Sequence, residues 1–322
     1  MIFRNRQAVL LLGLLLMLSV FVSACSKPQS ALVSDKVNVV ASFYPLYDFT
    51  QKIGGDHVNV INLIPTGVEP HDWSPKSRDI QNLSKAQMFV YLGAGFEGWV
   101  HDTLNSLPKD SKLAVVEASK DVPLLAAAEE EHNHQEEKTD AKGHSHDESE
   151  YDPHVWLSPV NAKTMAKHIK DQLVALDTAH QSDYEANYAK LAGQLDQLDA
   201  KYKDTLSKLP KKQIVVTHQS FGYLAKAYGL TQMPILGLSP DSEPTSKDLK
   251  EINEFIRSNQ IKYIFFEELV SDRLAKTLAK DAQVETLVLN PVEGLTDEQA
   301  KAGADYLSLM ESNLNNLIKA LQ

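Results

Sequence analysis

Residues 184–209 read YEANYAKLAGQLDQLDAKYKDTLSKL, and this stretch organises everything on either side of it. Tyr184, Tyr188, Leu191, Leu195, Leu198, Tyr202, Leu206 and Leu209 recur every three or four residues, the spacing of one continuous apolar face on an α-helix. About 25 residues in helical form make a rod of roughly 38 Å. Such a stripe serves either as a coiled-coil seam or as the face of a helix packed along larger lobes. The expectation is the second, because the flanking sequence supplies two lobes for it to join.

Before the stripe, VNVVASFYPL (from Val37), VNVINLIP (58–65), QMFVYLG (87–93) and LAVVEA (113–118) are short β-branched and aromatic runs separated by amphipathic segments. After it come QIVVTH (213–218), QMPILGL (232–238), IKYIFFEE (261–268) and VETLVLN (284–290), interleaved with helical patterns at 246–258 and 271–281. Strands alternating with helices predict an α/β fold with mainly parallel sheets. The expected organisation is an N-terminal lobe over 37–180, a linking helix over 181–210 and a C-terminal lobe over 211–322.

The chain starts MIFRNRQAVLLLGLLLMLSVFVSAC, with Arg4 and Arg6 ahead of an apolar run from Ala8 to Val22 and small residues before Cys25. This is the pattern of a secretory signal over 1–24, shorter than the roughly 20 apolar residues of a spanning helix. Residues 25–36 then read as a linker. Cys25 is the sole cysteine, so no intramolecular disulfide is available. The stretch VSAC resembles a bacterial lipobox, which implies a lipid on Cys25 and anchoring to a membrane surface.

The formal charge is −11, but residues 129–152 hold ten acids and two lysines, so the rest of the chain carries only −3. No basic face is left for nucleic acid. Residues 126–150 lack periodicity and large apolar side chains and read as a mobile loop.

Two segments echo one another: VEPHDWSP (68–75) and YDPHVWLSP (151–159) each run acid, proline, histidine, any residue, tryptophan, at His71 and His154. Proline stiffens the approach, and an aromatic two residues on can shield an imidazole from water. A third histidine, His218, closes the strand QIVVTH. Three neutral imidazoles and one carboxylate would complete a tetrahedral Zn2+ site.

With these residues in view, the chain resembles the metal-binding solute-binding lipoproteins of ABC importers, in particular the zinc-binding type. The resemblance rests on the lipobox, EPHDWSP, a His- and acid-rich loop directly before DPHVWLSP, VTHQSFGYLAKAYGL, GLSPDSEPTSKDL and NPVEGL, and it covers nearly the whole mature chain. It implies two α/β lobes joined by one rigid helix, with the metal in the cleft between them. It implies His71 and His154 from the first lobe and His218 from the second as ligands. Many relatives carry an aspartate just before the proline of the last motif, where Asn290 stands in this chain; Glu293 is the expected substitute, with Glu69 or a water as the alternative. Manganese-binding relatives place an acid where His218 stands, and imidazole suits Zn2+ better than Mn2+.

The resemblance implies a receptor, not an enzyme: a monomer that captures Zn2+ outside the cell and delivers it to an ABC-type metal permease. A manganese-type receptor, a zinc hydrolase and a surface adhesin are the alternatives. A hydrolase would need a general base, and there is no HExxH helix; Glu69, Asp72 and Glu293 are the nominees. His132, His134, His144 and His146 form two H-x-H pairs expected to act as an accessory zinc collector. His57, His101, His168 and His180 share no frame and read as structural or solvent-facing. Tyr91, Phe96, Trp99 and Phe221 are candidates to line the cleft.

Overall fold

The computed structural model describes residues 32–127, 151–241 and 243–322. Its first sheet contains β1 (Val37–Ala41), β2 (Val58–Asn62), β3 (Met88–Tyr91) and β4 (Ala114–Glu117), all parallel, in the order β2-β1-β3-β4. Around it lie α1 (Tyr44–Gly54), α2 (Ser77–Leu83), α3 (Val100–Ser106) and α4 (Pro159–Leu176). A short antiparallel ribbon pairs β5 (Leu125–Ala126) with β6 (Tyr151–Asp152). Helix α5 (Gln181–Ser207) follows. The second sheet comprises β7 (Gln213–Val216), β8 (Thr231–Pro234), β9 (Tyr263–Phe266) and β10 (Glu285–Val288), parallel in the order β10-β9-β7-β8. It is flanked by α6 (Gly222–Tyr228), α7 (Ser246–Ser258), α8 (Arg273–Ala282), α9 (Asp297–Lys301) and α10 (Tyr306–Leu321).

Counted from the first strand of each, the two sheets have the same order, with the second strand on one side of the first and the third and fourth on the other. The reversal of strand order falls at the carboxyl ends of β1 and β7, where open parallel sheets open a crevice for ligands. Both faces of the first sheet are covered, as parallel sheets require. Val39 and Ala41 face a core shared with α1, α4 and α5, while Val40 joins Ile61 and Phe89 on the opposite face.

The apolar stripe of α5 is consumed within the chain. Tyr184, Leu191, Leu195, Leu198, Tyr202 and Leu206 are buried. On one side the Asn187 amide donates to the Ile53 carbonyl of α1 at 3.0 Å. On the other the Tyr202 hydroxyl donates to the Met310 carbonyl of α10 at 2.5 Å, and the Tyr228 hydroxyl of α6 to Asp199 at 3.2 Å. Helix α5 thus packs on elements of both sheets and offers no dimer seam along this face. Leu209 lies past its end, since Pro210 disfavours helical geometry in the residue before it.

Three sequence expectations need correction. The run from Val37 to Leu46 is not one strand; it turns into α1 at Tyr44, with Pro45 in the first turn where its missing N–H costs nothing. The strands stop short at their carboxyl ends: in QIVVTH the regular part ends at Val216, and the His218 N–H donates to the Glu267 side chain at 3.3 Å instead of to a neighbouring strand. Ala126, assigned above to the loop, is paired in the ribbon with Tyr151. A two-residue pair is too short to leave a periodic trace. Residues 1–24, Cys25 and the histidines at 132, 134, 144 and 146 lie outside the described residues. Among the described residues no helix is long and apolar enough to cross a membrane.

Candidate metal centre

Four side chains from four separate segments converge beside the carboxyl ends of the strands. His71 lies on the connection from β2 to α2, in a turn closed by the Trp73 N–H donating to the Pro70 carbonyl at 3.1 Å. His154 follows β6 and enters the 3-10 turn Val155–Leu157. His218 stands two residues beyond β7. Glu293 follows β10 on a backbone bend in which Val292 adopts φ +59°, a region that β-branched residues rarely occupy. Asn290 explains that bend: its side-chain oxygen accepts the Val292 N–H at 2.7 Å, and Asn313 brackets it by accepting its N–H at 2.8 Å and donating to its carbonyl at 2.6 Å. Where a ligating acid was looked for, Asn290 instead shapes the turn that aims Glu293.

Glu293 Oε1 lies 3.6 Å from His71 Nε2, 3.3 Å from His154 Nε2 and 3.7 Å from His218 Nε2, and the His154 and His218 Nε2 atoms are 3.2 Å apart. A tetrahedral zinc centre with bonds of 2.0–2.1 Å has ligand–ligand edges of about 3.4 Å. These four edges are therefore those of a zinc-sized tetrahedron. Among the described residues His71 Nε2 and Glu293 Oε1 are buried without a hydrogen-bond partner, the condition expected of atoms whose partner is a cation.

The far sides of two rings are held by carboxylates that sequence reading did not assign. His154 Nδ1 lies 2.8 Å from Asp152 Oδ1, which also accepts the His154 N–H at 2.9 Å. His218 Nδ1 lies 2.7 Å from Glu267 Oε2, and Glu267 is braced by the Thr217 hydroxyl. A proton held on Nδ1 leaves the Nε2 lone pair facing the centre, and the anion makes the ring a stronger donor. Asp152 stood inside the quoted DPH motif, so its spacing could have found it. Glu267, in IKYIFFEE, carried no signal.

Electrostatics follow from this crowding. Burial alone would depress the His154 imidazolium, but the hydrogen bond of Asp152 and the charges of Asp152 and Glu293 outweigh it and lift the ring to about 9. Burial would raise Glu293; His71, His154 and His218 outweigh it and hold the carboxyl well below its usual range. The alternative ligand Glu69 is elsewhere. Its carboxylate accepts the His71 backbone N–H at 3.0 Å, and it groups with Asp72 and Asp241. Those three line a neighbouring cavity of about 1040 Å³ between the 65–76 connection and residues 236–277.

The aromatic expectations divide. Phe96 sits edge-on to His71, with ring centroids 5.1 Å apart, and Trp156 lies 5.3 Å from His154. Trp73 does not shield His71 as its motif position predicted; it packs against Trp99 at 5.5 Å. The two PH-x-W segments differ because His154 leads into the 3-10 turn Val155–Leu157, whereas His71 lies inside a turn closed from Trp73 back to Pro70. Tyr91 packs on Phe89, away from the four donors, and Phe221 is core. His101 bonds Asn105, and His168 faces the Ala118 carbonyl. His57 and His180 do share a frame, stacked with centroids 3.8 Å apart, each on its own aspartate, Asp183 and Asp177. Sequence separation concealed that pair.

Fold and donor set together define the class: an α/β protein with two parallel sheets and a cluster of three histidines and a glutamate that could hold a metal ion. The model of the family described as zinc-uptake complex component A, periplasmic, matches residues 39–320, and the chain belongs to that family. The zinc-binding lipoprotein AdcA of Streptococcus pneumoniae is 43% identical over 302 residues; the match takes in 93% of this chain but 58% of that protein's length. The high-affinity zinc uptake system protein ZnuA of Bacillus subtilis is 40% identical over 304 residues, with 93% of both chains covered. The crystal structure of the Zn(II)-bound ZnuA-like domain of Streptococcus pneumoniae AdcA superposes with a TM-score of 0.74 at 40% identity, covering 89% of this chain and 99% of that one. The laminin-binding protein Lmb of Streptococcus agalactiae, described as bifunctional with adhesin and metal-transporting activity, gives 0.76 at 31% identity, covering 89% of this chain and 100% of that one.

Proposed function

We propose that this protein is an extracytoplasmic zinc receptor that captures Zn2+ in the cleft and hands it to an ABC permease. His71, His154, His218 and Glu293 are its ligands. The observation that carries the reading is the pair of partnerless buried atoms, His71 Nε2 and Glu293 Oε1, at the corners of a zinc-sized tetrahedron. Three imidazoles favour Zn2+ over Mn2+. Four protein donors close the coordination sphere, leaving no open place for the activated water of a hydrolase, which suits reversible carriage.

Capture exchanges protons for metal. The His154 ring, cationic at neutral pH in the metal-free protein, must shed its proton before Nε2 can bind. Asp152 and Glu267 hold the Nδ1 protons of His154 and His218 so that those rings meet the metal already oriented. Tethering through lipid on Cys25 after removal of residues 1–24, a monomeric state, and accessory capture by His132, His134, His144 and His146 complete the proposal.

The test is zinc titration calorimetry on the chain from residue 26 onward, which keeps the compact unit Leu32–Gln322 whole. His218→Ala should abolish the tight site, and deletion of 129–149 should leave it. Tight binding that survives His218→Ala and disappears with the deletion would move the primary site out of the cleft.

A further inference from the structure

Glu97 is a buried carboxylate that plays no part in the site as described. It lies on the loop GAGFEG (93–98) after β3, where Gly93, Ala94 and Gly95 take φ of +85°, +53° and +82°. Three successive residues in the left-handed region form no regular ladder, so the loop depends on side-chain ties. Glu97 supplies them. Its Oε1 accepts the Ser42 hydroxyl at 2.6 Å, from just past β1, and the Leu92 N–H at 2.7 Å; its Oε2 accepts the Gly93 N–H at 3.1 Å.

The residue before it is Phe96. Its ring stands edge-on to His71 at 5.1 Å and rests on Phe43 at 4.9 Å and Trp156 at 5.3 Å. Among the described residues no hydrogen bond fixes the far side of the His71 ring as Asp152 and Glu267 fix the other two. The aromatic wall bears on it instead.

We propose that Glu97 is a positioning residue of the metal centre: by tying the 92–98 loop to the end of β1 it presses Phe96 against the His71 imidazole, and so sets how long zinc is held. The inference rests on the receptor reading above. Burial pushes the Glu97 carboxyl up to about 7, against the pull of its three hydrogen bonds, and no cation is among the influences on it. Tyr91 from β3 and Glu117 from β4 are the titratable groups facing this corner, and they are bonded to each other at 3.3 Å. The tie is therefore strongest above neutral pH, where all three donors meet an anion, and weakens as the carboxyl takes up a proton.

The experiment follows zinc leaving the loaded full-length protein into excess chelator, by stopped flow between pH 6 and 8.5. Glu97→Gln has one acceptor oxygen where the carboxylate has two, and presents an amide N–H to the Gly93 N–H. At pH 8 it should release zinc about tenfold faster than wild type, the lower end of what loss of a supporting contact costs a metal site. The ratio should shrink towards one at pH 6. Phe96→Ala should accelerate release comparably, and Glu97→Gln should add nothing in that background. Ser42→Ala, which removes one tie and leaves the carboxylate in place, should fall between and serves if Glu97→Gln folds poorly. Release from Glu97→Gln at the wild-type rate, or the same acceleration with and without Phe96, overturns the inference alone. Wild-type protein that takes up no zinc overturns the receptor reading, and this one with it.

Discussion

Asp152→Asn separates two opposing effects of one carboxylate. Asp152 strengthens His154 as a zinc donor, but it also stabilises the imidazolium that zinc must displace. With the ring at about 9, binding at pH 7 works against a proton held by roughly two pH units, on the order of 3 kcal/mol. The amide is isosteric, so packing against Gly222 persists, and the Asp152 backbone carbonyl still accepts the Tyr223 hydroxyl at 2.8 Å. Above pH 9, where the proton has left in either protein, the variant should bind zinc about 10- to 100-fold more weakly. Towards pH 6.5 the gap should narrow, because wild type alone bears the extra proton. Chelator competition from pH 6.5 to 9.5 should thus show a steeper rise of log K with pH in wild type. The metal-free protein should respond in the opposite sense. The raised His154 value contributes stability that is complete below its unfolded value near 6.5 and is lost as pH climbs through 9. Parallel curves offset by a constant would refute the claim that Asp152 holds the imidazolium.

Gly222→Ala tests the same carboxylate sterically. A Cβ there would lie 2.4 Å from Asp152 Oδ2, so zinc affinity should fall in calorimetry while helix α6, which begins at this residue, persists by circular dichroism. Trp156→Phe removes the indole N–H that donates to the Pro291 carbonyl at 2.7 Å, stranding a buried acceptor. Urea unfolding should show a loss of about 1–3 kcal/mol. His71→Ala should weaken zinc binding in calorimetry and also lower the melting temperature of the metal-free protein, because Phe96 loses the imidazole it packs against at 5.1 Å and the buried Glu293 carboxylate loses a neighbour that holds it low.

Much of this was legible. The α5 stripe announced a helix between two halves because its period is long and sustained; His71 and His154 were legible because proline, histidine and tryptophan recur in one frame, and His218 because it closes a strand. What stayed hidden is what depends on meeting across the chain. Glu267 reaches His218 from 49 residues away, and Phe96, not Trp73, covers His71. The role of Asn290 was concealed because a ligand and a turn-former occupy the same place in the motif. Only the folded backbone, with Val292 in the left-handed region, tells them apart.

The β5–β6 ribbon fixes Leu125 beside Asp152, so whatever runs between Ala127 and Tyr151 leaves and returns through one clamped neck. The Tyr223 hydroxyl bridges that neck, accepting the Leu125 N–H at 2.9 Å and donating to the Asp152 carbonyl at 2.8 Å. Doubling the length of a segment closed this way costs only about 0.6 kcal/mol in chain entropy. The neck is thus a permissive splice point: a reporter domain or epitope could replace residues 129–149 while His154, two residues beyond the ribbon, keeps its aim.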